Sequence, residues 1–330
     1  MTRRRMLIIS TLALGTALCL WAIYLGRPAP LQQQRYGVSF SSRQAASLGL
    51  VPEQAYLALF DDLGVRHLRL AAYWDVVQPE PDTYDFSELD WQLDEASSHG
   101  ASVVLAVGRK LPRWPECFVP AWASKALPAQ QRDWVLAMVR VVVERYRDNP
   151  AVSKWQLENE PFVSWFGHCP APDPILLAAE RDLIRSLSSK PIITTDSGEL
   201  SSWRRAARFT DVLGTTMYRV TWNPWFGYGY YPLPAGFYRM KARLWGLEPK
   251  DVIVSELQAE PWPPGTSMVD TSIEEQFRSM DVKRLNENLQ FARDTGFGDV
   301  YLWGAEWWLW VKEEGHPELW NEARKLFRQS

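Results

Sequence analysis

Histidine and cysteine are scarce in this 330-residue chain, with four of the first and three of the second. His67, His99, His168 and His316 stand far apart, and no His-x-His occurs. No cysteine–histidine group has the spacing of a metal site, so a metal-dependent hydrolase is disfavoured and no cofactor is called for. No Gly-x-Gly-x-x-Gly follows the first predicted strand, which removes the main signature of a doubly wound dinucleotide-binding sheet. Low-complexity tracts are missing, and 46% hydrophobic with 23% charged residues is material for a large core. Excess positive charge is missing as well. The net charge is −3, and Arg3, Arg4, Arg5 and Arg27 sit in an acid-free stretch of thirty residues, so the remainder is more acidic still. Nucleic acid is a poor partner for such a surface.

One long apolar run stands out. Leu7 to Leu25 carries no charge, follows Arg3-Arg4-Arg5 and ends beside Trp21 and Tyr24. That is the composition of a bilayer-spanning segment with its basic flank on the cytoplasmic side. A cleaved signal peptide is the competing reading, although no small-x-small site follows the run. Cys19 lies inside it, and the preceding Thr16-Ala17-Leu18 lacks the small residue of a lipoprotein signal. Residues 1–30 are therefore expected to form a membrane anchor or signal segment. The remainder, 31–330, is expected outside the cytoplasm, anchored through residues 7–25 or secreted.

From Tyr36 onward short apolar strands alternate with amphipathic helices. The predicted strands are Tyr36–Ser41, His67–Tyr73, Ser102–Val107, Val152–Leu157, Pro191–Thr195, Val212–Tyr218, Asp251–Ser255 and Asp299–Trp303. Helices are expected at Val51–Leu63, Phe86–Ser98, Gln130–Arg147, Pro174–Leu187, Ser202–Phe209, Gly236–Leu244, Ile273–Asp294 and Pro317–Arg328. Strands apolar on both faces are those of a parallel sheet covered by helices. Eight such units in one chain of this length predict a single α/β domain, a (β/α)8 TIM barrel.

In a barrel, function belongs to the C-terminal strand ends. The fourth predicted strand ends in Glu158-Asn159-Glu160-Pro161, where proline stops the ladder. The seventh is followed at once by Glu256. Glu160 and Glu256 can then face each other across the barrel mouth, and two opposed carboxylates are what glycoside hydrolysis requires. One donates a proton to the leaving oxygen while the other attacks the anomeric carbon or activates water. Glu158 and Glu260 are the rivals. Period-two alternation puts Glu158 and Glu160 on one face, so position at the strand end selects Glu160. Arg69 is placed to keep the second carboxylate ionised and Tyr218 to hydrogen-bond it. Arg109, Lys110, Asp196, Glu199, Arg219, Gln258 and Glu306 also fall at strand ends. Asp196 and Glu199 read equally well as helix caps.

Asn159-Glu160-Pro161 and Glu256, on these two strands, resemble clan A glycoside hydrolases, most nearly the cellulase-like family 5 group. Leu68-Arg69 with Trp74, the run Glu80-Pro81-Asp82-Thr83-Tyr84-Asp85-Phe86, and Tyr218 and Trp303 at their strand ends extend the resemblance over residues 35–328. It implies a retaining enzyme with Glu160 as acid/base, Glu256 as nucleophile and Asn159 bonded to the sugar 2-hydroxyl. Arg69, Trp74, Tyr218 and Trp303 complete the expected substrate site. Gly108-Arg109-Lys110 and Tyr218-Arg219 stand where many family members keep histidine.

Transglycosylation on the same scaffold and a non-catalytic carbohydrate-binding barrel are the alternatives. Trp114, Trp122, Trp165, Trp222 and Trp225 fall in predicted loops, as packing or as flat platforms for sugar rings. Cys117 and Cys169 follow the third and fourth strands on the same face, and in an exported chain they are expected to form a disulfide.

Overall fold

The computed structural model describes residues 34–265 and 267–329, with positions 15, 16, 21 and 29. Most of the expected anchor, residues 7–25, lies outside the described residues. Among those described, no helix is long and apolar enough to cross a membrane.

Ten strands form. They are β1 (Tyr36–Ser39), β2 (His67–Ala71), β3 (Ser102–Val107), β4 (Val152–Leu157), β5 (Ile192–Asp196), β6 (Val212–Met217), β7 (Val220–Asn223), β8 (Gly227–Tyr230), β9 (Val252–Gln258) and β10 (Val300–Trp303). Eight close into a barrel in the order β1-β10-β9-β6-β5-β4-β3-β2, every pair parallel. The predicted TIM barrel is the observed one, with the seventh and eighth predicted strands realised as β9 and β10. Strands β7 and β8 pair with each other as an antiparallel hairpin that the sequence reading missed.

Alternation along β3 shows how the layers form. Val103, Leu105 and Val107 join the large core between sheet and helices. Val104 instead meets Ile193, Ile253 and Tyr301. Those residues come from β5, β9 and β10, and side chains from such separated strands meet only across the barrel axis. Each buried aliphatic side chain contributes roughly 1.5–3 kcal/mol, so both layers favour closure.

The helices are cut by their own sequence signals. Asp173 caps the helix Pro174–Leu187 by accepting from the N–H groups of Ile175 and Leu176, and Pro174 sits where a free N–H is not needed. The single helix expected from Ile273 to Asp294 is two, Ile273–Phe277 and Val282–Thr295. Asp281 is extended and caps the second, and the buried Ser279 beside it takes the N–H of Trp262 on its hydroxyl. The helix expected at Ser202–Phe209 shrinks to a single turn at Ala206–Arg208. A helix at Ala305–Glu313, carrying the buried Trp307 and Trp308, was not foreseen. Its apolar residues run round the whole helix and leave no stripe to read.

Candidate active site

A one-residue irregularity in β9 aims Glu256. Thr215 of β6 is opposite Val254 and Thr216 is opposite Glu256, so Ser255 has no partner in that ladder. Val252, Val254 and Leu257 pack towards the helices and Ile253 points into the barrel. Strict alternation would therefore send Glu256 outward with Val254. The extra residue at Ser255 is a bulge that turns it inward. There Glu256 accepts from Arg69 Nη1 at 2.9 Å and from Tyr218 Oη at 3.0 Å.

Arg69 is itself buried and reaches across the barrel from β2. Its Nε donates to Gln156 Oε1 (2.6 Å) and its Nη2 to Asn159 Oδ1 (2.8 Å). Burial, reinforced by the Glu256 charge, holds the Tyr218 phenol well above its ordinary pKa, so it remains a donor.

The end of β4 is shaped by two left-handed residues, Glu158 (φ 54°) and Glu160 (φ 42°). Each costs about 1–3 kcal/mol outside glycine, and local hydrogen bonds offset it. Glu158 N donates to Val107 O (3.0 Å), Asn159 N to Lys110 O (2.5 Å) and Glu160 N to Thr195 Oγ1 (2.7 Å). This overturns the alternation argument, because the extended backbone stops at Leu157. Glu158 turns beneath the end of β3 and accepts from the N–H groups of Arg109 (3.2 Å) and Lys110 (2.5 Å). Only glycine fits at 108, where φ is +120° and a Cβ would lie 2.9 Å from the Glu158 carboxyl.

Glu160 is turned the other way and accepts from Thr216 Oγ1 at 3.2 Å. It is 8% exposed, and burial, then the charges of Glu256 and Glu116, push its pKa well above the ordinary carboxylate range. The two acids thus sit in opposite settings. Glu256 has a guanidinium and a phenol as donors; Glu160 is desolvated among like charges.

Asn159 joins the halves. Its Oδ1 accepts from Arg69, and from Thr195 Oγ1 at 3.2 Å, while its Nδ2 donates to Glu116 Oε1 at 3.3 Å. Trp303, at the end of β10, donates from Nε1 to Glu260 Oε1 (2.7 Å), and the Arg113 guanidinium lies 4.0 Å from its ring centre. Arg113 also bridges Glu260 (2.6 Å) and Glu306 (2.8 Å). The rival Glu260 is therefore engaged in holding Trp303 and Arg113.

Trp74 departs from expectation. It is 0% exposed, opens a short helical turn, donates to Gln78 and packs edge-on against Trp122. It belongs to the helix-side core and offers no face to a sugar. The sequence reading also missed Arg113 and Glu116, which lie in the irregular loop after β3. Nothing in composition or periodicity marks them.

Cys117 and Cys169 form a disulfide, S–S 2.04 Å, tying the loops after β3 and β4. Above it an aromatic line runs from Trp114, 56% exposed, through Phe166 (5.6 Å) and Trp262 (5.6 Å) to Tyr218 (5.4 Å). Among the described residues no group of three or more His, Cys, Asp or Glu is arranged to hold a metal ion.

Known proteins are similar to parts of this sequence and to its fold. The family described as "Beta-galactosidase", glycoside hydrolase 42, matches residues 53–132. A β-galactosidase of Arthrobacter sp is 27% identical over 129 residues, covering 32% of this chain and 18% of that enzyme. The match therefore spans less than a fifth of that relative's length. Among solved structures, endo-glycoceramidase II from Rhodococcus sp. in a ganglioside GM3 complex aligns with TM-score 0.55 at 16% identity, covering 83% of this chain and 76% of that one. GH5_18 from Streptomyces cattleya, in complex with GlcNAc, aligns with TM-score 0.54 at 17% identity, covering 83% and 71%. Family 42 and family 5 both appear, and the likeness is to clan A glycoside hydrolases as a group, as the strand-end residues implied.

Proposed function

We propose that this chain is a retaining glycoside hydrolase that cleaves β-glycosidic bonds of an oligo- or polysaccharide, with Glu160 as acid/base and Glu256 as nucleophile. The observation that carries the reading is the contrast between the two buried acids. Glu160 is kept protonated by burial and neighbouring charge, whereas Glu256 accepts from Arg69 and Tyr218. In the first step Glu160 gives its proton to the glycosidic oxygen as a Glu256 oxygen bonds to the anomeric carbon and the bond to the leaving sugar breaks. In the second, Glu160 takes a proton from water, which attacks the same carbon and releases Glu256. Asn159 retains one amide hydrogen for the sugar 2-hydroxyl, and Tyr218 holds the nucleophile in line. The names of the relatives, β-galactosidase and endo-glycoceramidase, support a β-linked substrate. The Trp114–Phe166–Trp262 line supports an extended sugar lying over the barrel mouth.

The disulfide supports work in an oxidising compartment. Export with anchoring through residues 7–25, or secretion after cleavage, is proposed on the apolar run.

The test is a screen of β-linked gluco-, manno-, xylo- and galacto-substrates with the wild type, Glu160→Gln and Glu256→Ala. Turnover in the wild type should fall by about 10²–10⁴ in Glu160→Gln, and azide should restore turnover to Glu256→Ala. Full activity in both variants would dispose of the assignment. Sugar binding without turnover by the wild type would point to a binding barrel.

A further inference from the structure

A third acid stands in the site. Glu116 is 4% exposed and left-handed (φ 70°), and it immediately precedes Cys117. Lys110 Nζ lies 2.9 Å from its Oε2, and Asn159 Nδ2 donates to its Oε1. Lys110 Nζ also donates to the carbonyls of Glu160 (2.9 Å) and Val163 (3.2 Å). On the opposite side Gly167 has φ +83°, and a Cβ there would lie 3.0 Å from the Glu116 side chain. A charged group in a strained loop, walled in and pinned by a disulfide, is expensive if it serves packing alone.

What Glu116 does follows from the amide it touches. A side-chain amide can sit either way round, and its hydrogen-bond partners decide which. Arg69 is a pure donor and fixes Oδ1 of Asn159. Glu116 accepts and fixes Nδ2. In that orientation one Nδ2 hydrogen goes to Glu116 and the other is left for an incoming hydroxyl. Glu116 also acts at a distance. Glu160 is faced by Glu256 from β9, Glu116 and Lys110 from the loop after β3, Asp196 from β5 and Tyr218 next to β6. Of the carboxylates among these, Glu116 is the one that accepts from the Asn159 amide.

We propose that Glu116 is a positioning residue: clamped by Lys110 and the Cys117–Cys169 bond, it sets the Asn159 amide and supplies negative charge that keeps Glu160 protonated. This rests on the proposed acid/base role of Glu160 only for its kinetic consequence. Burial, partly countered by Lys110, pushes the Glu116 carboxyl up to about 7, so its charge varies across the neutral range.

The experiment follows side chains by NMR in the full chain, without substrate, using ¹³C-labelled glutamate and ¹⁵N-labelled asparagine. In the wild type the Asn159 amide signals should titrate together with Glu116. In Glu116→Gln the pKa of Glu160 should drop by about one unit, because a like charge has gone, and in Glu116→Asp it should stay near its wild-type position. With an active substrate, the alkaline limb of kcat/KM should move to lower pH in Glu116→Gln and return in Glu116→Asp. An Asn159 amide indifferent to Glu116 titration overturns the proposal even if no variant folds. So does a folded Glu116→Gln whose Glu160 titration is unmoved. Shifts in titration from a wild type without glycosidase activity would uphold the positioning role and sink the functional reading instead.

Discussion

Arg69 and Glu256 form a 2.9 Å ion pair with side chains 1% and 7% exposed, on strands β2 and β9. A pair this dry is held by geometry more than by charge, since desolvating two ions offsets much of their attraction. Arg69 meets that condition with further bonds to Gln156 and Asn159.

Removing one partner alone leaves the other charge buried. Arg69→Met should lower unfolding free energy by about 3–5 kcal/mol, read by urea denaturation at neutral pH. The double variant Arg69→Met/Glu256→Leu should recover a large part of that loss, because no orphan charge remains. A double variant as unstable as the single would show that packing, not pairing, sets the effect.

Glu199 predicts how stability depends on pH. Its carboxyl accepts from Tyr238 Oη and from Tyr218 N, and burial pushes it up to about 7. A carboxyl raised on folding contributes stability that is complete below its unfolded pKa near 4.5 and is lost as pH rises through about 7. Glu160, Glu180 and Asp196 are raised by burial in the same direction. Stability should therefore fall between about pH 4.5 and 7. Glu199→Gln should remove up to about 3 kcal/mol of that fall, at 1.36 kcal/mol per pKa unit. Chemical denaturation at both pH values checks it, and an unchanged slope in the variant rules Glu199 out as a source.

The strand-local signals were legible and the loop-borne ones were not. Apolar runs ending at Leu157 and near Glu256 located the two acids on the fourth and seventh barrel strands. The bulge at Ser255 was invisible, because it brings no glycine or proline and depends on how β9 is matched to β6. Reading that strand as ending at Ser255 put Glu256 at the strand end without the backbone that aims it. Alternation failed for Glu158 because two non-glycine residues take a left-handed backbone, sustained by tertiary hydrogen bonds from β3 and β5. Arg113 and Glu116 reach the site by the path of an irregular loop, which no periodicity encodes.

The disulfide closes a loop with its cysteines 52 residues apart in sequence. Such a closure is worth about 4 kcal/mol in chain entropy, and native bridges typically contribute 2–4. Cys117→Ser/Cys169→Ser should lose that much stability by denaturant titration. It should also lose the pH-dependent signal linking Glu116 to Asn159, since Cys117 anchors the loop that carries Glu116. A stability loss with the link intact would confine the bridge to the unfolded chain.

Trp74 and Trp303 look alike in sequence, each an aromatic just past or at the end of a strand, and the structure separates them. Trp303 sits against Arg113 and Glu260 at the barrel mouth, whereas Trp74 begins the turn Trp74–Val77 and is driven into the helix-side core beside Trp122. Trp74→Ala should therefore cost about 3–5 kcal/mol of stability through the cavity it leaves. KM of the molecules that remain folded should be unchanged. Trp303→Ala should also lose stability, since Trp303 is buried and holds Glu260 and Arg113, but it alone should raise KM. Comparing KM at a temperature well below both unfolding midpoints distinguishes them, and a raised KM in Trp74→Ala would restore it to the substrate site that its burial now denies it.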